Sequence, residues 1–222
     1  MTRPSLVVLD LAGTTVRDDG QVPAAFRATL AACGVALEDA ELTALRGSSK
    51  MEAIRRKLPA GADLDARAAK AFEAFRARLA ALYEESGVAE VAGAASAMRA
   101  LRAAGIRVAL NTGFDRDTTN LLLGALRWDA GLVDAVVTGD DVAHGRPAPD
   151  LILRAMELTG VASAADVANA GDTVLDLRAG AAAGVGWNVG VLSGAHGREI
   201  LEREPHTVLL GSAAELPVLF GL

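Results

Sequence analysis

The feature that most constrains this chain is a series of short apolar runs. Each closes on a polar or glycine-containing loop, and a helix-like stretch separates each from the next. Residues 6–9 (Leu-Val-Val-Leu) end at Asp10, and similar runs recur at 106–110, 135–137, 167–170, 188–192 and 207–210. Runs this short and rich in β-branched residues predict strands buried on both faces. Helix-like stretches at 93–103, 117–126, 147–158, 173–183 and 197–202 lie between them. That alternation predicts an α/β fold with a doubly wound parallel sheet and right-handed crossovers. Ligands of such sheets sit at the carboxyl ends of the strands, so each loop after a strand is a candidate site.

Residues 17–88 break the alternation, because they hold no strand pattern and are mostly helix formers. The stretch 65–85 is alanine-rich and places Leu64, Ala68, Phe72, Phe75, Leu79 and Leu82 at helical spacing, the stripe of a packed helical bundle. The expectation is a helical insert directly after the first strand's loop. A chain of 222 residues fits one domain carrying such an insert, since domains run to roughly 150 residues. The 47 alanines favour helix. A single cysteine, Cys33, rules out an internal disulfide framework and is expected to be buried or inert. His144, His196 and His206 lack metal-ligand spacing. A net charge of −6 argues against a nucleic-acid groove. The four apolar residues before Asp10 are too few for a signal-peptide core. No stretch is long enough to span a membrane, so a cytoplasmic protein is expected.

Four loops carry chemistry. Asp10-Leu11-Ala12-Gly13-Thr14-Thr15-Val16 offers a carboxylate at a strand end beside backbone N–H groups that can hold phosphate oxygens. Asn111-Thr112-Gly113 adds a hydroxyl and an N–H at a second strand end. Gly145-Arg146-Pro147-Ala148-Pro149-Asp150 sets a cation before a helix that Pro147 is expected to start. Gly171-Asp172-Thr173-Val174-Leu175-Asp176 places two carboxylates four residues apart at a strand–helix junction, suited to a hard cation such as Mg²⁺. Each alone has a plainer reading as a turn, a helix cap or a solvated charge.

Together, in this order, the four loops resemble the haloacid dehalogenase superfamily across the whole chain. The resemblance implies a Rossmann-like core, residues 1–16 and 89–222, with an inserted helical cap domain, residues 17–88. It implies that Asp10 forms an aspartyl-phosphate. It further implies Mg²⁺ held by the Asp10 carboxylate, the Ala12 carbonyl and Asp172, with Asp176 standing behind them. Gly13, Thr14, Thr112, Gly113 and Arg146 would receive the phosphoryl oxygens.

Two details narrow the resemblance. Most phosphatases of the superfamily carry a second aspartate where this chain has Ala12, and losing such an acid/base costs ~10²–10⁴ in rate. The second is Lys50, in a chain with 19 arginines and only 3 lysines. An amine can form a Schiff base with a carbonyl, and a guanidinium cannot. Ser49-Lys50-Met51-Glu52 reads as a capping box, with Lys50 in the first helical turn. Ala12, Arg146 before Pro147, and Gly47-Ser48-Ser49-Lys50 resemble the phosphonoacetaldehyde hydrolase (phosphonatase) branch. That resemblance implies an imine at Lys50, attack of Asp10 on phosphorus and P–C cleavage. The chain departs from the branch at Ala53, Arg46, Phe114 and Gln21, where the family has histidine, methionine, tyrosine and cysteine. Arg46 is a candidate to read an extra anionic group on the substrate, or else a surface arginine.

The expected activity is therefore that of a Mg²⁺-dependent hydrolase of a small phosphonate. The alternatives are a phosphatase of a small phosphate ester and a non-catalytic phosphate-binding homologue. A small-molecule partner is expected, without nucleic acid or membrane, and a homodimer stays open.

Overall fold

The computed structural model describes residues 3–128 and 131–222. The first two positions of the expected core lie outside it. β1 (Leu6–Asp10) leads into four helices: α1 (Gln21–Ala32), α2 (Asp39–Leu45), α3 (Lys50–Lys57) and α4 (Leu64–Ser86). The alternation then resumes with α5 (Ala94–Ala103), β2 (Arg107–Asn111), α6 (Arg116–Leu126), β3 (Ala135–Val137) and α7 (Asp150–Thr159). It closes with β4 (Val167–Gly171), α8 (Val174–Ala183), β5 (Trp187–Val191), α9 (Arg198–Leu201), β6 (Val208–Leu210) and α10 (Leu216–Leu219).

The six strands form one parallel sheet in the order β3-β2-β1-β4-β5-β6. Every residue of the central β1 is buried, which is why its sequence is continuously apolar rather than alternating. Side-chain parity still divides it. Val7 and Leu9 join one core face, while Leu6 and Val8 pack with Leu151, Ile152 and Ala155 of α7 on the other. Asp10 is last in the strand and emerges at the carboxyl edge.

The insert leaves and rejoins the sheet at adjacent points. Val16 bridges Ala12 on one side and Glu90 on the other, and Arg17 N–H donates to the Ala89 carbonyl at 2.9 Å. The stripe on α4 is buried as expected at Ala68, Phe72, Phe75 and Leu79; Leu64 and Leu82 are only partly buried, and Ala71 and Tyr83 complete the face. Phe75 packs against Phe26 of α1 with ring centroids 4.7 Å apart and stacks on Phe72 at 6.3 Å.

Two expectations need correction. α7 starts at Asp150 with Pro149 as its N-cap, so Pro147 belongs to the preceding turn and not to the helix. Cys33 is exposed, at the C-terminal end of α1. Among the described residues no helix is long and apolar enough to cross a membrane.

Phe75 is fully buried between two helices and two rings. Phe75→Ala is expected to cost about 3–5 kcal/mol. Urea unfolding should show this as a lower midpoint at an unchanged slope.

Candidate active site

Asp10, Asn111 and Gly171 end three neighbouring strands, and the ladder pairs Asp10 directly with Asn111. The loops beyond them converge. Asp10, Asp172 and Asp176 are buried, and one carboxylate oxygen from each lies within 4.8 Å of the others. Arg146, also buried, reaches across the cluster: Nη2 lies 2.8 Å from Asp10 Oδ1 and Nε 2.9 Å from Asp176 Oδ1. Asp176 doubles as the third residue of a capping box on α8. Its Oδ2 accepts from the Thr173 N–H at 3.0 Å and the Thr173 hydroxyl at 2.5 Å.

Asp172 is held differently. Its carboxylate accepts from the Thr14 hydroxyl at 3.0 Å and the Ala195 N–H at 2.6 Å. Gly13 makes this approach feasible, because its φ is +97° and a Cβ there would fall 2.4 Å from Asp172 Oδ2. The Leu11 carbonyl accepts from the N–H groups of Thr14, Thr15 and Val16; among the described residues no donor reaches the Ala12 carbonyl.

Electrostatics follow from burial. It pushes Asp10 up to about 6, helped by Asp176 and opposed by Arg146 and Lys50. It pushes Asp172 up to about 7, helped by Asp10 and Asp176 and opposed by the Ala195 and Thr14 donors. Arg146 forms ion pairs with two of the three carboxylates. The third, Asp172, has only neutral donors. A cluster of hard oxygens with surplus negative charge fits a divalent cation.

Lys50 comes to this site from the insert. Ser49 caps α3, its hydroxyl accepting from the Glu52 N–H at 3.5 Å. The Lys50 side chain is buried, with Nζ donating to the Ser48 carbonyl at 3.0 Å and sitting 4.8 Å from the Phe114 ring centroid. Among the described residues no carboxylate pairs with Nζ. Burial pushes its ammonium down to about 8; Arg146 and Arg46 add to this, and Asp10 and Asp18 oppose it. The Lys50 N–H donates to the Gly113 carbonyl at 3.3 Å. A Cβ on Gly113 would fall 2.4 Å from the Ser48 carbonyl oxygen, so glycine is what lets the 47–50 turn settle onto the sheet's loop.

Thr112 is buried, and its oxygen accepts from the Phe114 N–H at 3.1 Å, which leaves its own proton to donate. Arg46 is not a free surface cation. Its guanidinium lies 2.5 Å from the buried Asp18 carboxylate. Asp140 and Asp141 engage Arg116, and His144 is exposed and pairs with Asp150 at 3.1 Å. The contacts of three residues here had no spacing to announce them. Asp18 sits 28 positions from its partner Arg46. Asn111 is visible as part of a turn but not as a contact of Arg146. His196 is buried with its N–H on the Asp172 carbonyl at 3.3 Å and its Nδ1 accepting from the Val174 N–H at 3.0 Å.

A parallel sheet with a buried acidic cluster and an arginine at its carboxyl edge is the framework of a Rossmann-like α/β protein whose site can hold a cation and an anion together. The chain belongs to the haloacid dehalogenase-like hydrolase family, whose model matches residues 4–184. Within it, the likeness is to the phosphonoacetaldehyde hydrolases. One from Bacillus cereus is 30% identical over 216 residues, spanning 89% of this chain and 79% of that protein. One from Bacteroides fragilis is 31% identical over 126 residues, 57% of this chain and 46% of that protein. This chain thus spans about half the length of several curated relatives it matches. The crystal structure of a phosphonoacetaldehyde hydrolase-like protein from Oleispira antarctica shares the fold, with a TM-score of 0.84 at 22% identity over 99% of this chain and 92% of the other.

The acidic cluster sets a pH dependence. Between about 4 and 7 the unfolded chain releases the Asp10 and Asp172 protons before the native site does. Metal-free stability from these groups is therefore full below about 3.8 and lost as pH rises through about 6–7. Mg²⁺ should raise the melting temperature, and the increment should be larger at pH 8 than at pH 5; equal increments would contradict the assignment.

Proposed function

We propose that this protein is a Mg²⁺-dependent phosphonatase-like hydrolase that cleaves a small phosphonate of the phosphonoacetaldehyde type. The observation that carries the reading is the buried Lys50 amine, set beside the Asp10–Arg146 pair with its ammonium pushed down to about 8. In this reading residues 17–88 are a cap over the core, and Lys50 is its contribution to the chemistry.

Asp10, Asp172 and the Ala12 carbonyl would hold Mg²⁺, with Asp176 behind them. When bound, the ion supplies positive charge to the carboxylates and the phosphoryl oxygens. The unprotonated Lys50 amine adds to the substrate aldehyde and, with uptake of one proton, loses water to leave an iminium. Asp10 attacks phosphorus, and the P–C bonding pair becomes the C=C bond of an enamine as the C=N π pair moves onto nitrogen. The Thr112 hydroxyl, the Gly113 N–H and Arg146 receive the phosphoryl oxygens; the Gly13 and Thr14 N–H groups, expected to share in this, are instead bonded to the Val16 and Leu11 carbonyls at 2.7 and 3.2 Å. Protonation at carbon and hydrolysis of the imine free Lys50, and water releases phosphate from Asp10. The leaving group is carbon, so no acid is needed on a leaving oxygen and Ala12 suffices.

A second reading is favoured by Ala53 and Phe114. These replace the histidine and tyrosine that flank the lysine in phosphonatase. Here the substrate is a small phosphate ester and Lys50 acts only through its charge. A third, a non-catalytic phosphate binder, rests on Ala12 alone.

Phosphate release from phosphonoacetaldehyde, with a panel of small phosphate esters alongside, separates the readings. Lys50→Arg should lower release from the phosphonate by about 10²-fold or more, and Asp10→Asn should abolish it. Release from esters only, indifferent to Lys50→Arg, supports the phosphatase. Absence of any turnover supports the binder.

Borohydride trapping of the imine gives an independent readout. Trapping should rise with pH and be half-maximal near about 8, rather than near the 10.5 of an ordinary lysine. A midpoint near 10.5 would remove the basis for the imine.

A further inference from the structure

Asn111 has no part in the mechanism above, yet it is 1% exposed and sits beside the nucleophile. Its Oδ1 accepts from Arg146 Nη2 at 2.6 Å, and its main-chain carbonyl accepts from the same nitrogen at 3.3 Å. That nitrogen is the one 2.8 Å from Asp10 Oδ1. The guanidinium leaves no choice of orientation for the amide, because only its oxygen can face five N–H donors. The cost shows at the other end of the side chain. Asn111 Nδ2 is buried without a hydrogen-bond partner, a penalty an apolar residue of the same size would avoid.

We propose that Asn111 is the positioning residue of Arg146, holding its guanidinium in place while the charge on Asp10 changes. This rests on the reading of Asp10 as nucleophile and Arg146 as phosphoryl contact, and is independent of Lys50. In the resting site Nη2 is shared between Asp10 and Asn111. When Asp10 bonds to phosphorus it passes from a carboxylate to a neutral acyl oxygen, and its hold on the guanidinium weakens. Asn111 is neutral throughout, so its oxygen keeps Nη2 anchored on that side as Nε stays on Asp176. The donors of Arg146 that turn to the phosphoryl oxygens then start from a fixed plane. A lysine ammonium has no fork to hold between these acceptors. Asn111 and Arg146 therefore form one unit.

The test uses acetyl phosphate with Mg²⁺, because its acetate leaving group needs neither an acid at position 12 nor the Lys50 amine. Asn111→Leu keeps the branched four-atom skeleton of the side chain and removes both the anchor and the unpartnered donor. It should lower kcat about tenfold or more with KM within about twofold. In the Arg146→Lys background the same substitution should change kcat by less than about twofold. Equal losses in the two backgrounds, or a rise in KM with kcat unchanged, would overturn the proposal. Thermal melts accompany each variant, and Asn111→Thr replaces Asn111→Leu in the cycle if the latter melts early. Turnover of acetyl phosphate that survives Asp10→Asn would instead strike at the nucleophile reading, and the role of Asn111 would fall with it.

Discussion

Three carboxylates held within a few ångströms in a dry site repel one another, and the arrangement persists because other groups are built around that repulsion. Arg146 links Asp10 to Asp176. Asp172 is turned toward Thr14 and the Ala195 N–H. Asp176 is tied to the first turn of α8 through Thr173. These contacts tie the loops after β1 and β4 to one another and to the segment before α7. The cost of burying this charge is offset only in part by one guanidinium. The remaining deficit makes the site receptive to a metal ion.

The insert answers the same electrostatics from the other side. Gly47 offers its carbonyl to Arg146 Nη1 at 3.4 Å, and the Lys50 N–H meets the Gly113 carbonyl at 3.3 Å. On the insert's side both contacts use main-chain groups, so they hold the 47–50 turn independently of its own side chains. Among the described residues no carboxylate pairs with the Lys50 amine. Arg46, a few residues earlier, pairs with Asp18.

Much of this was legible in the chain. The six apolar runs became strands, with ends shifted by about a residue, because a strand buried on both faces has nothing polar to hide its limits. The four loops met where the order of motifs placed them. Pro147 misled because proline starts helices, whereas here it lies in the turn that delivers Arg146. The contacts of Asn111, Asp18 and His196 were not legible, since each depends on a neighbour brought close by the fold and not by spacing. Cys33, expected to be buried or inert, falls at the exposed end of α1.

The ladder at Val16 joins the two chain crossings into a single narrow stem. All the carboxylates of the cluster, and Arg146, lie on the sheet side of that stem; Lys50 lies beyond it. In the proposed reading, the group that attacks phosphorus and the group that meets the carbonyl thus lie on separate stretches of polypeptide. Exchange of the stretch between residues 17 and 88 among relatives would, in that reading, be inherited as a change in the group that greets the substrate's far end, with the acidic pocket passing through unaltered.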